Sequence, residues 1–386
     1  MKVRQKARYV DATRCTACGA CAEKCPTKVP NEFNFGLDMR KAIYKDYAQG
    51  IPSVYTIDPD HCKVLTGGKC GVCAKVCQAK AIDYEQKDSE VELNVASVIV
   101  STGYELFDAT QISEYGYGRL PNVISSLEME RLLSAGGPTK GHLMRPSVIH
   151  GEARLKELAK LIKRAEKAEN TEELAALQKE QAWLDDHVQR YHTAKKLGFI
   201  QCVGSRDFRF HKYCSSYCCM HSIKEAIIAR EHEPETMSYL FYMDLRTVGK
   251  GFEEYKMRGA KVSGLQYIRG RVAEVLQDED LNPVVYYEDT EQRKVVSLTL
   301  DMVILANACS ASKGIVKLAT MLGLELDENN FVKTHPNRPL DTNVPGIFTC
   351  GCAQGPLDIP ESVAQASSAA AKAAEVVMTG GRAIAI

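Results

Sequence analysis

The sequence has no net charge to offer a partner. Its 49 Lys and Arg residues balance 49 Asp and Glu, so the basic excess expected of a nucleic-acid binder is missing. No apolar run reaches the length needed to span a bilayer, and the start "MKVRQKARYVD" lacks the apolar core of a secretory signal. The chain therefore reads as soluble and non-secreted, a cytoplasmic protein with neither nucleic acid nor membrane as partner. Also missing is any G-x-G-x-x-G, the loop with which a dinucleotide-binding βαβ unit cradles a pyrophosphate. A length of 386 residues leaves room for two or three domains.

Cysteine is what the sequence has in quantity, with 15 residues. A disulfide scaffold would account for many cysteines in an exported protein, but the missing signal and the clustering of the thiols oppose it. Clustered cysteines in an intracellular chain point instead to metal.

The first cluster is "CTACGACAEKCP", in which Cys15, Cys18, Cys21 and Cys25 have the spacing C-x2-C-x2-C-x3-C-P. This is the run of bacterial ferredoxins: three close thiolates hold one corner of a [4Fe-4S] cube and the fourth reaches a second cube. Zinc is the alternative. A partner run follows in "CKVLTGGKCGVCAKVC", where Cys62, Cys70, Cys73 and Cys77 are spaced C-x7-C-x2-C-x3-C. Resemblance to two-cluster ferredoxins implies crossed ligation. Cys15, Cys18, Cys21 and Cys77 would hold one cube, and Cys62, Cys70, Cys73 and Cys25 the other. The stretch between the runs, with "FGLDMRKAIYKDYAQGIP", is expected to form a helix packed over the clusters.

After residue 92 the character changes. "VELNVASVIVSTGYELFD" reads as a strand pair ending in Thr102-Gly103, and "GIFTCG" near the C-terminus as a strand before a long alanine-rich helix. The pair resembles the segments by which a thioredoxin-reductase-like chain returns to its flavin domain. That resemblance implies FAD against Thr102, Gly103, Gly351, Cys352, Ala353, Gln354, Gly355 and Pro356, with the positive end of the helix near anionic groups. A plain structural strand–helix unit is the alternative. Residues 151–194 are rich in Ala, Glu, Lys and Leu at helical spacing and read as an exposed hairpin, its break at "ENTEE" capped by Asn170 or Thr171.

Then "KLGFIQCVG" reads as a buried strand and "SIKEAIIAREH" as a helix. The loop between them carries thiols in place of glycines, in "YCSSYCCMH". Cys202, Cys214, Cys218 and Cys219 are expected to ligate a third [4Fe-4S] cluster at the helix N-terminus, where unpaired N–H groups favour thiolate over thiol. Zinc and scattered buried cysteines are the alternatives. Both Cys218 and Cys219 can ligate only if the backbone turns sharply there.

"FIQCVGSRD", "YCSSYCCMHSIKEA" and "GCAQGPLDIPESVAQASSAAAKA", with the inserted ferredoxin, resemble the A subunit of heterodisulfide reductase over all but the helical hairpin. The resemblance implies an α/β fold: part of a thioredoxin-reductase-like flavoprotein with an N-terminal α+β two-cluster ferredoxin domain. The expected domains are a ferredoxin at 1–92, a flavin-type part at 93–150, the hairpin at 151–194, a nucleotide-type domain with the third cluster at 195–300, and a return to the flavin-type part at 301–386. It also implies an oxidoreductase polypeptide that works with the other subunits of a complex and with an input module linked to hydrogenase or formate dehydrogenase, and a FAD at which electrons bifurcate. The chain departs from the family in lacking the upstream glycine-rich half and the C-terminal second ferredoxin, and Ala308-Cys309 stand where a glycine is expected. The expectation is thus of a FAD shared with a partner chain that supplies the missing half, or of a flavin-free iron–sulfur conduit and scaffold. A dehydrogenase using NAD(P)H is a weaker third reading.

Overall fold

The structure is a computed structural model that describes residues 1–380. The chain divides into two units, Met1–Asn94 with Ser134–Gly141, and Val95–Leu133 with the chain from His142 onward.

In the first unit, β1 (Lys2–Gln5) leads to the first cysteine run, which ends in the short helix α1 (Ala20–Lys24). Two small antiparallel pairs follow, β2 (Lys28–Pro30) with β3 (Met39–Lys41) and β4 (Ile43–Tyr44) with β5 (Thr56–Ile57). The second run ends in α2 (Val72–Val76), and β6 (Ser89–Glu92) returns to pair antiparallel with β1. Both short helices are entered through a glycine in the left-handed region, Gly19 at φ +84° and Gly71 at +98°. A side chain is strained there, so glycine fixes how each cysteine loop turns into its helix. Val10, Ile43, Val54, Ile57 and Ala81 form the core with Cys21, Cys62 and Cys73.

The helix expected between the runs is not found among the described residues. That stretch holds the two hairpin-like pairs and one 3-10 turn, Glu32–Asn34. Phe35 and Gly36 are left-handed at φ +55° and +79° and turn the chain back. Arg40 then bridges two distant carboxylates, Glu32 at 2.5 Å and Asp58 at 2.8 Å. With only 9% of the Arg40 side chain exposed, these ion pairs tie the ribbon to the following loop, and helix propensity is overridden.

The second unit is built on a seven-stranded sheet of order β14-β13-β12-β11-β10-β15-β9. Two short strands precede it, β7 (Val98–Val100) and β8 (Tyr104–Leu106), and then β9 (Val123–Ser125) and α3 (Ser126–Leu133). The hairpin α4 (Pro146–Lys167) and α5 (Thr171–Arg190) leads into β10 (Lys196–Val203), α6 (Cys218–His232), β11 (Met237–Tyr242) and α7 (Phe252–Ser263). The antiparallel β12 (Gln266–Gln277), β13 (Pro283–Asp289) and β14 (Lys294–Thr299) form one side of the sheet, and β15 (Met302–Asn307) returns to its middle. β10 is parallel to both its neighbours, β11 and β15. A central parallel strand is covered on both faces, which is why "LGFIQ" is buried at every position.

β16 (Cys309–Ala311) pairs antiparallel with β8. After α8 (Ile315–Leu322), β17 (Ile347–Thr349) runs parallel to β7, in keeping with the "VIV" and "GIF" segments, and α9 (Ile359–Met378) follows. Strands β9 and β15, expected in the flavin-type parts, hydrogen-bond instead into the sheet of the nucleotide-type part. Nothing in an apolar strand names its sheet, so the expected boundary at 300 falls inside a continuous hydrogen-bonded layer. In the α4–α5 hairpin, Asn170 supplies the cap, its side chain accepting from the Glu173 N–H at 3.2 Å. Among the described residues, no helix is long and apolar enough to cross a membrane.

Candidate functional site

In the first unit, Cys25, Cys62, Cys70 and Cys73 line one small pocket together with Tyr84. The Tyr84 hydroxyl and Cys73 Sγ are hydrogen-bonded at 2.9 Å. One member of the first run therefore sits with three of the second. Cys15, Cys18 and Cys21 are neighbours: burial pushes the Cys21 thiol up to about 11, and the negative charge that Cys15 and Cys18 would carry adds to the rise. Cys77 Sγ accepts from the Ala81 N–H at 3.3 Å and packs in the same core. Among the described residues no three thiols lie within 4.8 Å of one another. Four thiolates on a single zinc ion, at Zn–S of about 2.3 Å, would all fall inside that distance. The sulfurs are spread more widely than that.

The second unit gathers Cys202, Cys214, Cys218 and Cys219. Cys202 stands near the end of β10 at φ +60°, where the register of β10 with β15 shifts. Ser216 is also left-handed, at φ +62°. These two turns bring the loop back on itself before the adjacent cysteines; the sharp turn expected at Cys218 and Cys219 themselves is not seen, since both open the regular helix α6. Tyr213 and Ser215 pin the loop to β16: the Tyr213 hydroxyl donates to the Cys309 carbonyl at 2.6 Å, and Ser215 Oγ accepts from the Cys309 N–H at 3.0 Å. α6 begins at Cys218 itself, and its N-cap Tyr217 provides no side-chain cap, which leaves the first N–H groups for the thiols. Burial, with Cys219 and Cys214 close by, pushes the Cys202 thiol up to about 11 against the pull of Arg206. The Cys218 thiol donates to Cys219 and pulls it down to about 7 despite burial. Four thiolates gathered here would need a compensating cation, and an iron–sulfur cube would supply one.

Beside this loop lies a cleft of about 1100 Å³, lined by Tyr104, Tyr217, Met220, Lys224, Phe252, Cys352 and the start of α9. Its size and its aromatic and apolar walls, with Lys224 and Lys250 among them, fit a flavin ring system. Of the residues expected to hold flavin, Cys352 lines the cleft. Thr102 and Gly103 form the turn between β7 and β8, and the 3-10 turn Gly351–Ala353 follows β17. The Gly351 N–H donates to Gln365 at 2.8 Å and the Gln354 amide to the Thr349 carbonyl at 2.6 Å, so these groups are engaged within the protein. Gly355 and Pro356 lie in the link to α9.

The α9 N-terminus corrects an expectation. Asp358 accepts from the Glu361 N–H at 2.8 Å, and Glu361 accepts from the Asp358 N–H at 3.1 Å. This capping box sets two carboxylates where an anionic group was expected. The D-x-x-E signature that announces it is present in "DIPE".

One group on the cleft wall has no signal beyond its helical spacing. His221, Lys224 and Glu225 share α6, and Glu130 comes from α3. Glu130 lies 2.7 Å from His221 Nε2 and also pairs with Lys224. Burial alone would raise the Glu130 carboxyl, but the His221 and Lys224 hydrogen bonds outweigh it and pull it down to about 2. Glu225 is completely buried with neither oxygen hydrogen-bonded, and His221 Nε2 is 3.5 Å away. Burial pushes its carboxyl well above the usual range.

Clustered thiols on a ferredoxin-type unit and on an α/β unit define a redox protein of the iron–sulfur class. Residues 8–31 match the 4Fe-4S binding domain family. Over nearly its whole length the chain is homologous to part of the A subunits of heterodisulfide reductases. It is 43% identical over 384 residues to the A subunit, the iron-sulfur subunit, of the CoB–CoM heterodisulfide reductase of Methanocaldococcus jannaschii, covering 98% of this chain and 51% of that one. Against the A subunit of the H2/formate:CoB-CoM heterodisulfide, ferredoxin reductase of Methanococcus maripaludis the identity is 42%, with coverage of 96% and 50%. The chain thus spans about half the length of these relatives. Among solved structures, T. acidophilum thioredoxin reductase aligns at TM-score 0.41 and 14% identity, over 73% of this chain and 66% of that one.

Proposed function

We propose that this chain relays electrons as an iron–sulfur part of a heterodisulfide-reductase-like oxidoreductase. In this reading Cys15, Cys18, Cys21 and Cys77 ligate one [4Fe-4S] cluster, Cys25, Cys62, Cys70 and Cys73 a second, and Cys202, Cys214, Cys218 and Cys219 a third. The observation that carries it is the single pocket lined by Cys25 and three thiols of the other run, an interleaving that two-cluster ferredoxins use.

In the same reading the cleft beside α6 holds the isoalloxazine of a FAD, with Thr102, Gly103 and the turn Gly351–Pro356 behind it. A partner's glycine-rich loop cradles the phosphates, because the carboxylates of Asp358 and Glu361 at α9 repel them. Tyr104, Met220 and Phe252 would pack on the ring, and Lys224 would face developing negative charge. The flavin, when bound, would supply the exchange point between one-electron and two-electron carriers, the place for bifurcation. The partners are the other subunits of such a complex, with an input module drawing on hydrogen or formate and an outlet to ferredoxin or a disulfide, all in the cytoplasm. A flavin-free conduit is the second reading, favoured by the capped α9.

Visible spectra separate the two. The assembled complex carries a flavin band that the isolated chain loses if the site is shared. Stoichiometric FAD on the isolated chain contradicts sharing, and no flavin in the complex leaves the conduit.

A further inference from the structure

Three cysteines lie outside the three sets: Cys309, Cys350 and Cys352. Cys350 points into a small core with Leu340 and Ala369. The other two meet. Cys309 opens β16 and is fully buried, while Cys352 sits in the turn after β17 and lines the cleft. Their side chains are neighbours. Both are mounted on fixed backbone. Cys309 is held at both its N–H and its carbonyl by Ser215 and Tyr213. The residue before Cys352 is held through its N–H to Gln365, and the Cys352 thiol also contacts the Leu357 carbonyl at 3.5 Å. One sulfur thus faces the cleft and the other stands directly behind it, the arrangement of an attacking and a resolving thiol.

We propose that Cys309 and Cys352 form a two-electron dithiol/disulfide centre that opens on the cleft through Cys352. Its oxidation breaks two S–H bonds, forms one S–S bond, and releases two electrons and two protons. The acceptor belongs to the class that takes two electrons from a thiolate. That is either an isoalloxazine in the cleft, which becomes dihydroflavin, or a small disulfide, which leaves as two thiols. The chemistry is set up unevenly. The neighbouring Cys309 side chain pulls the Cys352 thiol down, and Cys309 itself is pushed up by that contact and by burial. The sulfur at the cleft is the one an acceptor reaches, and the buried one resolves. Iron–sulfur clusters pass one electron at a time, so a centre that stores a pair adds a function the three thiol sets do not have. The proposal does not need a flavin in the cleft.

The full chain, with its iron reconstituted anaerobically, is equilibrated in dithiothreitol redox buffers, alkylated, digested and mapped by mass spectrometry. The expected result is one disulfide, joining the Cys309 peptide to the Cys350/Cys352 peptide, titrating with a two-electron slope. Cys309→Ser and Cys352→Ser lose it, and Cys350→Ser keeps it. In a second arm free FAD replaces the buffer as oxidant. Bleaching of its visible band that Cys309→Ser abolishes identifies a flavin as a competent acceptor, and oxidation by the disulfide buffer alone identifies a small disulfide. Two free thiols under every oxidant, or a Cys309–Cys350 link that persists in Cys352→Ser, overturns the proposal.

Discussion

Glu225→Gln should change how stability depends on pH. Glu225 is wholly buried, neither oxygen has a hydrogen-bond partner, and Glu130 adds negative charge from the facing α3. Lys224 and His221 are its neighbours on α6, and both are engaged with Glu130. Burial, then Glu130, raise the carboxyl well above its ordinary 4.5. The folded protein therefore holds this proton more tightly than the unfolded chain does. The group's contribution is fully present below the unfolded value and is lost as pH rises toward the folded one, at about 1.4 kcal/mol per pH unit. An amide is the neutral shape of the same side chain and does not titrate, so the variant lacks that slope. Each kcal/mol corresponds to about 2–4 °C in a domain of some 150–250 residues. Thermal midpoints measured anaerobically from pH 4 upward should coincide for the two proteins at the acid end and diverge above it, the variant becoming the more stable. Parallel curves across that range would show that Glu225 is not held protonated, and that the cleft wall is wetter than its burial indicates.

Two further outcomes follow from the geometry. Cys25→Ser should remove the cluster associated with Cys62, Cys70 and Cys73 and spare the one associated with Cys15, Cys18 and Cys21, read as loss of one of the two ferredoxin-type paramagnetic signals. Loss of the other signal instead would mean that the runs do not cross. Asp358→Ala should lower stability by about 1 kcal/mol and leave iron content unchanged, measured by thermal denaturation and iron assay; an unchanged midpoint would mean the capping box contributes nothing.

The parts of the fold legible in the sequence are those in which a local pattern carries the chemistry. The cysteine runs are legible as clusters because a short loop keeps its sulfurs close together. The continuous apolar runs in "VIV", "GIF" and "LGFIQ" mark strands covered on both faces, and Asn170 marks the turn of the hairpin. What is not legible depends on distant partners. Helix-favouring residues after Arg40 lose to its ion pairs with Glu32 and Asp58. The pairing of Glu130 with His221 joins residues 91 apart in sequence, and the contact of Cys309 with Cys352 likewise joins two strand ends with no shared motif. Strands β9 and β15 are apolar enough to be strands, but their sheet is chosen by β10. The Asp358 capping box is local and readable in its own residues. Resemblance to a flavin-binding helix points the other way, because it attends to the helix end as a type and not to the two carboxylates that occupy it.

The central claim is three iron–sulfur clusters in one chain, and iron with acid-labile sulfide, counted on the anaerobically reconstituted full chain alongside its Cys214→Ser variant, tests it most directly. At four irons to a cube, about twelve irons and twelve sulfides are predicted for the full chain. The variant should lose about four of each and one paramagnetic signal. A full chain that binds no more than about eight irons, or a variant that binds as many as its parent, would contradict the account.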